Sequence, residues 1–150
     1  LADIVESVAE DLRFEGESRS VTVNLHIEGD PIINADGRFL ARAFDNIARN
    51  ALRHSPNGAV IYLSLTEDEQ SFIFTCRDEG DGLPEKELPH IFAPFVRGNH
   101  EATGTGYGLG LAIARRSIQN HEGSIEAHNM QPHGLEILVR LPKSLAISMT

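Results

Sequence analysis

Basic residues are scarce in this chain, with 13 Lys and Arg against 22 Asp and Glu and a formal net charge of -9. Nucleic acid and anionic membrane are both gripped through a basic surface, so this charge argues against a general affinity for either, and any phosphate site has to be local. Cysteine is rarer still. With Cys76 alone, no internal disulfide can form, and a reducing cytoplasm is the natural compartment. No apolar run approaches the roughly 18 residues needed to span a bilayer, and the acidic start, Leu1 to Asp11, has no signal-peptide character. What is present suits one domain over residues 1–150, since 41% apolar residues supply a single sizeable core.

The periodicities follow in order along the chain. Leu1, Ile4, Val5, Val8 and Leu12 recur at helical spacing and predict an amphipathic helix at the edge of a core. Val21, Val23, Leu25 and Ile27 alternate with polar residues, which predicts a half-buried strand. Gly29-Asp30-Pro31 breaks the pattern. Asp36 can then cap a second helix carrying Phe39, Leu40, Ala43, Phe44, Ile47, Ala51 and Leu52 on one face and stopping at Ser55-Pro56-Asn57-Gly58. Ala59 to Thr66 and Ser71 to Cys76 predict an antiparallel hairpin around the acidic turn Glu67 to Gln70. Asp78 to Gly106 is irregular, and connections of that length are usually functional. A third helix is expected from about Gly108 to His121, with Leu109, Ala112 and Ile113 on one stripe and Leu111, Ala114 and Ile118 on an adjoining one. Ser124 to Asn129 and Leu135 to Leu141, flanking Pro132-His133-Gly134, predict a second hairpin.

Three segments carry chemistry. On the second helix, Asn46, Asn50 and Arg53 lie along one side, with His54 next to them. A solvated polar face would look the same. The functional alternative is an amide oxygen on Mg²⁺ and a guanidinium on phosphate, since Mg²⁺ takes few protein oxygens and keeps water and substrate phosphate. Directly after a strand comes Asp78-Glu79-Gly80-Asp81-Gly82. It reads either as an ordinary acidic turn or as a carboxylate placed to accept a hydrogen bond from an amine, with glycines that admit a flat ligand. A calcium loop is disfavoured, because the further oxygen ligands of an EF-hand are not in register. Last, Gly104-Thr105-Gly106-Tyr107-Gly108-Leu109-Gly110 leads into the third helix. It is either a bare glycine-rich loop or a place where exposed N–H groups and a helix N-terminus meet phosphate. No Gly-Lys-Ser/Thr follows, so it is not a P-loop, and no parallel βαβ unit surrounds it, so a Rossmann site fails on context.

In this order and spacing, the three segments resemble the asparagine box and the two glycine boxes of sensor histidine kinases. His90-Ile91-Phe92-Ala93-Pro94-Phe95-Val96-Arg97-Gly98 resembles that family's phenylalanine box. The resemblance implies an α/β two-layer sandwich of the Bergerat type, with a mixed, mostly antiparallel sheet packed on one face by about three helices. ATP and Mg²⁺ are the implied cofactors. By matching position, Asn50 holds Mg²⁺ and Asn46 supports the same site, with Arg97 as a further candidate for the transfer step. Arg53 contacts phosphate, Asp78 accepts the adenine amine, and Gly80 and Gly82 let the base approach. Gly106, Gly108 and Gly110 form the phosphate-binding end of a lid expected over Gly98 to Tyr107. Tyr107, in place of the usual small hydroxyl residue, Leu109 and His54, where a tyrosine is common, complete the implied nucleotide contacts. Phe92 and Phe95 anchor the lid, meet a partner domain or simply fill the core. ATP-hydrolysing relatives carry a glutamate base where Asn46 stands, and an asparagine cannot act as that base. The resemblance therefore favours phosphotransfer over hydrolysis.

The acceptor in such kinases is a histidine in a His-Glu-x-x-Thr-Pro-like context on a dimerisation helix, and no histidine here has that context. The resemblance thus implies a fragment that begins near the boundary after the dimerisation hairpin. Its implied partners are the phosphoacceptor domain of the same kinase and a downstream response regulator. The domain alone would be monomeric and its parent homodimeric, in the bacterial inner membrane with this part in the cytoplasm. An anti-sigma-factor-like serine kinase and a non-catalytic, nucleotide-gated binding module are the rival readings.

Overall fold

In the computed structural model, which describes residues 1–29, 32–33, 37–93 and 110–145, the predicted apolar patterns become helices and strands in the expected order. Helix α1 spans Ala2–Gly16, strand β1 Thr22–Ile27, helix α2 Gly37–His54, strands β2 and β3 Val60–Glu67 and Ser71–Arg77, helix α3 Gly110–Asn120, and strands β4 and β5 Ser124–Asn129 and Leu135–Pro142. A six-residue 3-10 helix, Glu85–His90, interrupts the stretch expected to be irregular. The strands form one sheet in the order β1-β2-β3-β5-β4. β1 runs parallel to β2, and every other neighbouring pair is antiparallel. The two expected hairpins are β2–β3 and β4–β5. In the first turn Asp68 Oδ1 accepts the N–H groups of Gln70 and Ser71 at 2.9 and 2.7 Å, the side-chain mimic of a backbone turn that makes aspartate frequent at such positions.

Alternation places one apolar face of the sheet under the helices. Register stacks Leu63 beside Cys76 and Leu65 beside Phe74, then Cys76 beside Ile137 and Phe74 beside Val139, all buried on the same side. The opposite face is polar: Ser64 and Thr75 hydrogen-bond across β2 and β3, and the Arg77 guanidinium lies over the Tyr62 ring at 5.9 Å. The core is joined to α2 by Phe44, whose ring stacks on Phe74 with centroids 4.3 Å apart. Such a buried aromatic pair adds about 0.5–1.5 kcal/mol beyond its area. Helix α1 contributes Val5, Val8, Ala9 and Leu12 to the same core.

Two apolar positions depart from expectation. Phe39, placed on the buried face of α2, is 58% exposed, and Ile113 on α3 is 36% exposed. The buried stripe of α2 runs through Leu40, Ala43, Phe44, Ile47 and Ala51, and Phe39 lies about 100° round the helix from Leu40. On α3 the stripe that faces inward is Leu111, Ala114 and Ile118, together with Ser117. Ser117 Oγ donates to the Phe39 carbonyl at 3.2 Å, tying α3 to the start of α2.

Candidate nucleotide site

Helix α2 carries two kinds of polar residue. Asp45 and Arg49 pair with each other at 2.8 Å, and Arg49 reaches Glu15 of α1 at 3.0 Å. Those exposed pairs hold the outside of the helix and are worth little to stability. Asn46 and Asn50 behave differently. Asn50 is 5% exposed, and the Asn46 Nδ2 amide is buried without a hydrogen-bond partner among the described residues. A buried donor left unsatisfied costs about 1–3 kcal/mol, so native structures rarely keep one without a use for it. An amide oxygen suits a hard cation, and among the described residues no group of three His, Cys, Asp or Glu side chains gathers as a cation cage. The amide oxygens of Asn50 and Asn46 are the hard donors this helix offers, a set compatible with a Mg²⁺ ion that takes most of its ligands from water and phosphate. Arg53 is exposed at the last turn, and His54 beside it is half-buried. Burial, reinforced by the Arg53 charge, lowers the His54 pKa and so disfavours its charged form.

The end of α2 is held from outside the motif. Arg19, which closes the 3-10 turn after α1, donates to the carbonyls of Leu52 at 2.7 Å and Ser55, and to Asn57 Oδ1 at 3.0 Å. A cation on the last carbonyls of a helix satisfies orphan acceptors and opposes the helix dipole. Arg53 and His54 therefore project from a pinned helix end.

Strand β3 delivers Asp78, which is 2% exposed. Its Oδ1 accepts the Gly80 N–H at 2.9 Å and the Leu135 N–H at 3.1 Å. Its own N–H donates to the Leu135 carbonyl at 3.0 Å. Oδ2 accepts no hydrogen bond among the described residues, so it is the oxygen available to a ligand amine. Burial raises the Asp78 pKa; the Gly80 and Leu135 amides and the His133 side chain pull it back only in part. Next to it, Glu79 Oε1 accepts the Val60 N–H at 2.7 Å.

The glycines of this turn are needed by the protein's own packing. A Cβ on Gly80 would strike the carbonyl of His54, so the turn lies directly against the end of α2. Gly82 has φ +73°, and a Cβ there would lie 2.6 Å from Asn129 Oδ1. The protein's own packing thus requires these glycines, apart from the expected approach of a flat base, and the first two motifs are brought into contact. Of the third motif only Gly110 is described, at the start of α3, where a Cβ would meet nothing within 4 Å. α3 packs on α2 and brings the helix start to the same side of the sheet. Gly106, Tyr107, Gly108, Leu109, Arg97 and Phe95, with the lid expected over Gly98 to Tyr107, lie outside the described residues. Phe92 is 7% exposed and belongs to the hydrophobic core, the third of the roles open to it.

A family model described as histidine kinase-, DNA gyrase B- and HSP90-like ATPase matches residues 35–145. The chain belongs to that family. Sporulation kinase A of Bacillus subtilis is 32% identical over 144 residues, which is 95% of this chain and 23% of that protein. The chain thus spans about a quarter of that relative's length. Among solved structures, the mycobacterial sensor histidine kinase MprB superposes with a TM-score of 0.83 at 24% identity, covering 99% of this chain and 97% of that one. Full-length ShkA, solved in complex with AMPPNP, gives 0.84 at 23% identity, covering 99% of this chain and 30% of that one. At these identities the structural matches establish the fold alone, a two-layer α/β sandwich shared with those structures. ATP is the nucleotide implied by membership of the family.

Sequence reasoning missed the supports of Asp78. Gly134 (φ +107°) presses on the Asp78 carbonyl, Leu135 binds its side chain, and Asn129 fastens the far end of the turn. Pro132-His133-Gly134 marks a turn in sequence, but no local signal says which loop that turn will touch.

Proposed function

We propose that this chain binds Mg-ATP and passes the γ-phosphate to a histidine on a separate dimerisation domain of the same kinase, the autophosphorylation step of two-component signalling. The observation that carries the reading is the Asp78 carboxylate, buried at a strand end with Oδ1 held by two backbone N–H groups and Oδ2 uncommitted. Such an acceptor reads an adenine amine and disfavours the carbonyl that guanine presents there. Asn50, buried on the adjoining helix, and Asn46, partly buried one turn before it, supply amide oxygens on the triphosphate side. Mg²⁺, when bound, neutralises charge developing on the phosphate oxygens. Asn50 holds the ion in place, Asn46 supports that side of the site, and Arg53 steadies the phosphates. Little covalent chemistry is asked of the protein, because positioning and charge stabilisation drive phosphoryl transfer. The acceptor imidazole nitrogen attacks the γ-phosphorus, the bond to the β–γ bridging oxygen breaks, and ADP leaves as the imidazole loses its proton. Asn46 offers no carboxylate to activate water, which favours transfer over hydrolysis.

In this reading the parent is a homodimeric membrane sensor with this part on the cytoplasmic side, and a response regulator takes the phosphoryl group onward. Incubation with γ-labelled ATP and Mg²⁺ tests it. The chain alone should stay unlabelled, and adding the dimerisation domain of its own kinase should give acid-labile label on that domain. Stable label on this chain alone would overturn the proposal. Acid-stable label on a serine of a separate regulator would favour the serine-kinase reading.

A further inference from the structure

The turn that follows Asp78 crosses three strand ends. It leaves β3 at Asp78, passes over the start of β5 at Gly134 and Leu135, and reaches the last residue of β4, Asn129, which pairs with Leu135 in the sheet. Asn129 fastens it there with both ends of its amide. Oδ1 accepts the Leu83 N–H at 2.9 Å, while Nδ2 donates to the Leu83 carbonyl at 2.6 Å and reaches Glu85 Oε1 at 3.3 Å. The same Oδ1 lies 2.6 Å from where a Cβ on Gly82 would fall. A side chain that satisfies both backbone groups of the residue directly after a glycine-bearing turn fixes that turn's path as well as its distance.

We infer that Asn129 is a positioning residue for base recognition, holding the Gly80 to Leu83 backbone so that the Gly80 N–H keeps the Asp78 carboxylate turned with Oδ2 toward the nucleotide. The inference rests on the reading of Asp78 as the adenine acceptor. Asn129 touches no nucleotide in this scheme and acts through Leu83, Gly82 and Gly80. Asp78 Oδ1 is held from two sides, by Leu135 on the sheet and by Gly80 on the turn. The sheet side is rigid. The turn side is held at Glu79 by the Val60 N–H and, beyond the glycines, by Asn129, which alone among the described residues fixes Leu83.

The test is calorimetric titration of the 150-residue chain with ATP and with GTP, in the presence of Mg²⁺, alongside thermal unfolding. Asn129→Asp keeps an acceptor for the Leu83 N–H but loses both donors and sets a carboxylate against Glu85. ATP affinity should fall roughly tenfold, the equivalent of about one net hydrogen bond. GTP affinity should hardly move, so the preference for ATP over GTP shrinks by a similar factor. Adding Glu85→Gln, whose amide can donate to the new carboxylate, should restore most of the preference. A lower unfolding midpoint with an unchanged ATP-to-GTP preference would show a purely structural role and overturn the inference. Should Asn129→Asp not fold, Asn129→Ser, which is neutral and too short to bridge to Leu83, is read in the same way. Asp78→Asn separates the two layers. If it leaves the preference intact, the adenine reading itself fails; if it abolishes the preference while the Asn129 variants do not, the inference about Asn129 alone fails.

Discussion

The turn after β3 and the polar side of α2 are neighbours built on opposite terms. In the turn nearly every polar group is spoken for: Asp78 Oδ1 by two amides, Glu79 by Val60, and Leu83 by Asn129. On α2 the Asn46 amide is buried with no partner among the described residues, and Asn50 is buried beside it. The difference is what a site needs if it reads one ligand end by shape and holds the other by charge. A base is recognised by a rigid edge, which the fold can build in advance. Phosphates and their cation bring their own strong acceptors and charge, so the groups that meet them are left unsatisfied until they arrive.

The contrast breaks most severely at Gly80. Gly80→Ala places a methyl against the His54 carbonyl, and backbone cannot swing aside as a flexible side chain can. Overpacking of this kind costs about 1–3 kcal/mol, and at roughly 2–4 °C per kcal/mol for a chain of this size the unfolding midpoint should drop by several degrees. ATP binding should be lost along with it, because the displaced turn carries the N–H that orients Asp78. Thermal unfolding and nucleotide titration on the same sample check both parts. An unchanged midpoint would mean that the turn is not packed against α2 as described.

Asp78→Asn should separate function from stability. The amide keeps an acceptor for Gly80 and Leu135 but removes the charge, so ATP affinity should fall about ten- to a hundred-fold, the loss of a hydrogen bond worth roughly 1.5–3 kcal/mol. Stability at neutral pH should hold or rise. Burial raises the Asp78 pKa in the folded chain above its ordinary value of 3.8, so the folded state binds this proton more tightly than the unfolded state. Its contribution to stability then decreases as pH climbs from the unfolded value through the raised folded one, and the ionised carboxylate is a burden above it. Urea titrations from pH 3 upward, comparing the parent chain with Asp78→Asn, should show the parent losing ground to the variant across that window. ATP affinity of the parent should meanwhile weaken on acidification at a pH above the usual carboxylate range. A variant less stable than the parent at pH 7 would contradict the assignment.

The mildest change in stability is expected on the other side of the contrast. Asn46→Ala removes a buried donor that has no partner among the described residues and installs a better helix former. The unfolding midpoint should stay level or rise, by about 1 kcal/mol at most. Transfer to an added dimerisation domain should nevertheless fall. A clear loss of stability would show that the amide is satisfied within the fold and would erase the difference between the two regions.

How much was legible in advance differs between the same two regions. Asn46, Asn50, Arg53 and Asp78 could each pass for a solvated helix face or an acidic turn, and the order of the three segments along the chain is what singled them out before any contact was known. Phe39 and Ile113 misled, because apolar stripes on α2 and α3 are broad and only docking against the sheet selects which part turns inward. Asn129, Leu135 and Arg19 gave no signal. Their contacts join residues 46, 57 and 33 to 38 positions apart, and no local pattern encodes such a pairing.

Local chemistry along the chain was enough to decide the element order and both hairpins. Each of these follows from side-chain period, turn residues and functional groups within a few positions of one another. Only the tertiary structure decided that β1 lies parallel to β2 and that the turn after Asp78 rests on the end of α2 and is tied to β4. Those outcomes depend on which distant surfaces bury together, because a backbone group withdrawn from water must find its partner wherever the packing of the core happens to place one.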